Sequence, residues 1–288
     1  LGDVYKRQDE VCPLIVVPAT LSPNAEVVRE PVWGVMAQLY SVRSRHSWGI
    51  GDFDDLGRLA ELVAAEGADY LLINPVHAAQ PVPPVEDSPY LPTSRRFVNP
   101  IYISVEAVPE FAQLCADATA RAEVVRLVTP LKAMNRSAEP LERNAIFAAK
   151  LAVLRRLFDL AEADAERTHG FELFIHDEGE GLAEFAAWCA REAGSEELTR
   201  FYMWLQFIAD EQRRIAQERA QAAGMQIGIM TDLAVGIHPD GADAHTMRDV
   251  LVADASVGAP PDQYSQQGQD WSQPPWDPQA PVSYTHLR

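Results

Sequence analysis

The side chains best suited to chemistry fall in a few short stretches. The densest is 257–276, VGAPPDQYSQQGQDWSQPPW, which sets Tyr264, Trp271 and Trp276 beside Gln266, Gln267, Gln269 and Gln273. Aromatic faces cover the C–H patches of a sugar ring, and planar amides donate to and accept from its hydroxyls. A flexible loop rich in proline and glutamine has the same composition, so the residues alone leave both readings open. Asp232 ends an apolar run, where a carboxylate either binds substrate, caps a helix or pairs with a buried arginine. His46 and His77 also follow apolar runs; there a hydrogen-bonded structural histidine is commoner than a ligand contact. Asp240, Asp243 and His245 crowd one turn, but GADA reads as a helix start, and capping explains the acids without a metal. Ser88 has no neighbouring His–Asp pattern, which argues against a serine nucleophile. Retaining cleavage of a glycosidic bond needs two carboxylates about 5–5.5 Å apart. No convincing pair stands out, and Asp232 lacks an evident mate.

Those residues need a frame, and hydrophobic periodicity supplies one. VWGVMAQLY (32–40) predicts a strand from its β-branched and aromatic content. After the loop SVRSRHSWGIG, Phe53, Leu56, Leu59, Ala60 and Val63 recur at helical spacing. Asp52, Asp54 and Asp55 suit the helix start and Gly67 its stop. DYLLIN (69–74) is nearly all apolar, as in a strand covered on both faces. Residues 32–74 therefore read as a βαβ unit with parallel strands. A long proline-rich loop is expected over 75–104, and loops of that length are usually functional. Residues 105–195 read as a helical, acidic insertion with Phe147, Leu151, Leu154 and Leu157 on one face. A long helix over 196–223 carries Phe201, Trp204 and Phe207, a stripe that reads as core. MQIGIMTDL (225–233) predicts the third parallel strand. In such folds ligands bind at the carboxyl ends of strands, which selects Ser44–Gly49, Asn74–His77 with Asp87–Asn99, Asp232 onward, and 257–276.

Composition narrows the partners. The chain has 288 residues, 47% hydrophobic and 23% charged, with a formal net charge of −18. An acidic surface repels phosphate backbones and argues against nucleic acid. No apolar run approaches the ~20 residues of a membrane span, so no membrane partner and a cytoplasmic location are expected. Cys12, Cys115 and Cys189 are odd in number and widely spaced, which supports neither a disulfide framework nor a zinc site. The tails LGDVYKRQ (1–8) and VSYTHLR (282–288) match nothing beside them and are read as non-native. CPLIVV (12–17) and the proline-containing stretch after it read as the end of an N-terminal domain plus linker, 9–30.

Four stretches in order carry a specific resemblance: SWGIGDFDDL (47–56), INPVHAAQPVPPVEDSPYLPTSRRFVNPIYI (73–103), GIMTDLAVGIHPDGADA (228–244) and SVGAPPDQYSQQGQDWSQPPW (256–276). Together they resemble the amylomaltases, the 4-α-glucanotransferases of glycoside hydrolase family 77. The resemblance implies an α/β fold, an incomplete (β/α)8 TIM barrel over 31–281 holding the first three strands, with the helical insertion at about 105–195. It implies transfer of α-1,4-glucan segments to glucose or maltooligosaccharide acceptors by retaining double displacement, with no metal or organic cofactor. Tyr90 of DSPY is similar to the family's glucan-stacking tyrosine, and Asp87, Ser88 and Asn99 shape the same loop. Asp232 resembles the aspartate lining the subsite beside the cleaved bond. Pro260, Pro261, Asp262, Gln269 and Trp271 match a mobile loop that overhangs the site. The family's Arg-Ile-Asp-His-type nucleophile motif and its later general acid are absent from this sequence, so the chain itself is expected to be inactive. His245 stands where the family often has a larger aromatic residue. Three strands of eight leave a sheet edge unpaired, and poor stability or aggregation is expected of the chain alone. The competing readings are a starch-type hydrolase of the same barrel clan and a non-catalytic glucan-binding protein.

Overall fold

The computed structural model describes residues 31–252 and 254–277. The readings of 1–8, of the domain end and linker over 9–30, and of 282–288 lie outside them. The elements described here belong to the unit that begins at Val32.

The first strand, β1 (Gly34–Ala37), is shorter than its apolar run predicts. The Leu39 amide donates to Oδ1 of Asn74 at 2.7 Å, and the chain turns into a 3-10 segment, Leu39–Ser41. Helix α1 (Phe53–Ala65) starts where the acids predict, because Asp52 Oδ1 accepts from the amides of Asp54 and Asp55 at 3.0 and 3.1 Å. The Asp55 carboxylate answers by accepting from the Asp52 amide, which completes a reciprocal cap. Gly67, at φ +89°, turns the chain into strand β2 (Tyr70–Ile73).

The stretch 75–104 is not the plain loop expected. It contains a short antiparallel ribbon, β3 (His77–Ala78) with β4 (Ser94–Val98). A two-residue strand such as β3 carries no readable alternation, which is why the pairing is invisible in the sequence. The helical block follows: α2 (Phe111–Leu114), α3 (Ala118–Met134), α4 (Arg143–Glu162), α5 (Ala165–Glu178) and α6 (Glu180–Glu192). Phe147, Leu154 and Leu157 of α4 are buried as their spacing predicts.

Helix α7 (Thr199–Ala222) buries Phe201, Trp204 and Phe207 in the core. Its glutamines do a second job. The Gln206 amide clamps the N–H and C=O of Val98, both at 2.9 Å, and the Gln212 amide clamps those of Ser104 at 2.8 and 2.9 Å. Buried backbone groups must find partners, and here a helix supplies them where no strand does.

Strand β5 (Gly228–Thr231) starts later than the apolar run at 225 predicts, because the amides of Ile227 and Gly228 both turn inward to the Asp69 carbonyl. The sheet runs β1-β2-β5 with all neighbours parallel. Met36, Leu72 and Met230 lie in register across it, with Met36 and Met230 exposed. Val35, Leu71 and Ile229 face the other way, toward the core. Arg219 fastens α7 to α1, bonding Asp54 at 2.9 Å and both oxygens of Glu61 at 2.7 and 2.8 Å.

Helix α8 (Ala242–Thr246) corrects the capping expectation. Its N-cap is Gly241, with no side-chain cap. Asp243 is buried and instead accepts from the Arg95 amide at 2.7 Å, which docks α8 on β4. A Cβ at Gly241 would lie 2.5 Å from the Thr93 carbonyl oxygen, so only glycine permits this approach. The segment 257–276 forms a second antiparallel ribbon, β6 (Val257–Ala259) with β7 (Gln269–Gln273).

Candidate functional site

The carboxyl ends of β2 and β5 lie side by side, since Ile73 pairs with Thr231 and its carbonyl accepts from the Asp232 amide at 2.9 Å. Asp232 therefore stands at the rim of the sheet. Its Oδ2 accepts from the Tyr90 hydroxyl at 2.9 Å, and its Oδ1 from the Leu233 amide at 2.8 Å. Among the described residues it forms neither a helix cap nor an ion pair with an arginine, and the Tyr90 hydroxyl is its side-chain partner. The bond to an anion, together with that charge, raises the Tyr90 hydroxyl above its ordinary pKa. Tyr90 is 43% exposed as a residue while its hydroxyl is held by Asp232.

The β6–β7 ribbon reaches the same place. Gln273 Nε2 donates to the Tyr90 carbonyl at 3.3 Å. Within the ribbon, Trp271 Nε1 donates to Gln269 Oε1 at 3.0 Å, and the indole stays 44% exposed. Asp262 Oδ1 accepts from the amides of Tyr264 and Ser265 at 2.8 and 2.7 Å, and these bonds lower its pKa. It shapes the turn between the two strands. Pro260 and Pro261 are exposed beside it. The structure thus joins Tyr90, Asp232 and Gln273 directly and holds Gln269 and Trp271 on the ribbon that Gln273 anchors.

The other candidates divide. Asp87 bonds Arg143 at 2.9 Å on the surface, and Ser88 Oγ accepts from the Tyr90 amide at 3.3 Å. Both shape the Tyr90 loop. Asn99 is buried and spends its Oδ1 on the Ile101 amide at 3.0 Å. It caps the 3-10 turn Pro100–Tyr102, a structural part. With Asp87 and Ser88 it lines a cavity of about 20 Å³, room for one water and no sugar. His77 Nε2 accepts from the Ala234 amide at 3.3 Å. Burial and the nearby Arg95 charge push its pKa down to about 4, which keeps it a neutral acceptor. His46 is exposed. Ser47 and Trp48, in the loop after β1, are buried; the Ser47 hydroxyl bonds Asp55 at 2.6 Å and the indole bonds Glu106 at 3.0 Å. Sequence reasoning missed Arg95, which reaches the turn after β5, and Lys150 in the core. A lysine on the apolar face of α4, between Phe147 and Leu151, was a readable signal for the second. Among the described residues no helix is long and apolar enough to cross a membrane.

A parallel sheet with Asp232 at its rim, bonded to Tyr90 of the loop between β3 and β4 and reached by Gln273 of the β6–β7 ribbon, defines an α/β protein. Comparison with known proteins identifies its kind. The family model described as 4-alpha-glucanotransferase, glycoside hydrolase family 77, matches residues 37–198 and 191–283. A 4-alpha-glucanotransferase of Mycobacterium tuberculosis is 43% identical over 92% of this chain and 40% of its own length. The crystal structure of amylomaltase from Corynebacterium glutamicum superposes with a TM-score of 0.84 at 55% identity, covering 93% of this chain and 39% of that one. Amylomaltase from Streptococcus agalactiae, solved in complex with acarbose, shares the fold at a TM-score of 0.66 and 18% identity, over 86% of this chain and 53% of that one. The chain belongs to the 4-α-glucanotransferase family. It spans about 40% of the length of the Mycobacterium relative.

Proposed function

We propose that this chain is the glucan-gripping part of an amylomaltase, a retaining 4-α-glucanotransferase that moves α-1,4-glucan segments to glucose or maltooligosaccharide acceptors. The observation that carries the reading is the Tyr90–Asp232 bond of 2.9 Å at the sheet rim, with Tyr90 exposed. An ionised aspartate accepts sugar hydroxyls, and an exposed tyrosine ring stacks on the pyranose beside it. Gln269 and Trp271 offer an amide and a second ring from the ribbon, with Pro260, Pro261 and Asp262 setting its turn, while Asp87 and Ser88 hold the Tyr90 loop and Asn99 caps the turn after β4. The three parallel strands are read as an arc of a (β/α)8 barrel and α2–α6 as its helical insertion.

Double displacement needs a nucleophilic carboxylate and an acid on opposite sides of the bond. Asp232 supplies one rim carboxylate, and the family's Arg-Ile-Asp-His-type motif does not occur in this sequence. The chain therefore binds glucan without turning it over. The test pairs calorimetric titration of the chain with maltoheptaose and an assay of glucose release from maltotriose. Weak binding, with Kd on the order of millimolar, about −4 kcal/mol, and no release is expected. Absence of binding at saturating maltoheptaose, or release of glucose, refutes the reading. Net gain of reducing ends without longer products would favour a hydrolase.

A further inference from the structure

The turn after β5 is held by the β3–β4 ribbon. The amide of Ala234 donates to His77, and the carbonyls of Ala234 and Val235 both accept from Nη1 of Arg95, at 2.9 and 3.0 Å. The same guanidinium lies over the Trp276 ring, 4.9 Å from its centroid. Trp276 stands at the root of the β6–β7 ribbon. It bridges to Leu251, the Val252 amide donates to Pro275 at 2.9 Å, and the Asp277 amide donates to Val250 at 2.8 Å.

Three details make Arg95 more than a neighbour. Its backbone is pinned, because its amide donates to the buried Asp243. The Trp276 Nε1 and Arg95 Nε are both buried without a hydrogen-bond partner. The indole is thus placed by packing and by the cation on its face. A guanidinium is planar and always charged, so its edge can bond carbonyls while its face covers a ring. A lysine ammonium has no such plane.

We propose that Arg95 is a positioning residue, a latch that couples the root of the β6–β7 ribbon to the turn carrying Asp232. Loosening either attachment through Arg95 loosens the other. That this coupling serves glucan binding rests on the function proposed above; the latch itself does not.

The test is amide hydrogen exchange on the whole chain, comparing wild type with Arg95→Met, Arg95→Lys and Trp276→Leu. Arg95→Met is expected to speed exchange about tenfold, a change of about 1.4 kcal/mol in local opening, in both 233–236 and 269–277. Amides of α1 and α7 keep their protection. Trp276→Leu speeds the ribbon and, more weakly, 233–236, and a response of the ribbon alone would show two independent contacts instead of a latch. Arg95→Lys restores part of the protection of the turn. A response to Arg95→Met in only one of the two segments, or an even rise that includes α1 and α7, overturns the latch. Acarbose titration of the same samples separates the two readings. If wild type fails to bind acarbose while both segments respond to Arg95→Met, the latch stands and the proposed function falls.

Discussion

Lys150→Met tests how α4 is fastened to the segment 101–103 and to the start of α1. The Lys150 side chain is fully buried, and its Nζ donates to the carbonyls of Ile101 and Ile103 at 2.6 and 2.9 Å. Two buried carboxylates face it, Asp52 and Asp55, both at the start of α1. Burial pushes Asp52 up to about 6 and Lys150 down to about 8, so between those pH values both are ionised. Methionine fills the volume and removes the charge. It strands Asp52 and leaves two carbonyls without their donor. Leaving two buried carbonyls without their charged donor costs about 1.5–3 kcal/mol each, together about 3–5 kcal/mol, which in a unit of this size lowers Tm by roughly 10 °C. The sign of the pH dependence follows from Asp52. Its folded pKa lies above the ordinary 3.8, so its contribution is fully present below that value and is lost as pH rises through about 6. Without Lys150 the attraction that opposes this shift is gone, and the folded pKa climbs further. The deficit of the variant should therefore shrink as pH falls from 8 to 5, and adding Asp52→Asn should recover part of it at pH 8. Urea unfolding followed by circular dichroism at pH 5, 6, 7 and 8 measures this. A deficit under about 1 kcal/mol at pH 7.5, or one equal at pH 5 and 8, refutes the reasoning.

Three further outcomes are expected. Tyr90→Ala should weaken maltoheptaose binding about tenfold by losing one stacked ring, worth about 0.5–1.5 kcal/mol, while Tm stays within a degree or two because the ring is exposed; equal affinity by calorimetry would remove Tyr90 from the site. His77 keeps a folded pKa of about 4, below its ordinary 6.5, so its contribution is present above pH 6.5 and lost as pH falls toward 4. Nuclear magnetic resonance titration of its ring should give that midpoint, and His77→Gln should flatten the stability slope between pH 6.5 and 4. Gly241→Ala should cost about 2 kcal/mol by pushing α8 off β4, read as a lower urea midpoint; an unchanged midpoint would mean that Thr93 yields freely.

Local order was legible where the physics is local. The acids before Phe53 bond amides two and three residues away, so the start of α1 is written in adjacent letters. The apolar stripe of α7 repeats every turn and says which face is core. The strand limits were less legible, because β1 ends where Asn74 captures an amide 35 positions earlier. Arg95 and Arg96 stand side by side with no mark to tell the latch from its exposed neighbour.

Sequence alone determined the identity of the parts: the βαβ unit, the core stripe, the four motif stretches and, through them, the family. Those depend on residue type and near-neighbour spacing. The tertiary structure decided which parts meet. Tyr90 and Asp232 are 142 positions apart, and only the parallel pairing of β2 with β5 carries the aspartate to the tyrosine. The same holds for Arg95, whose two attachments come from segments separated from it by the helical block. No local rule encodes such meetings, because they follow from burying the faces of sheet and helices together, and that is a property of the whole fold.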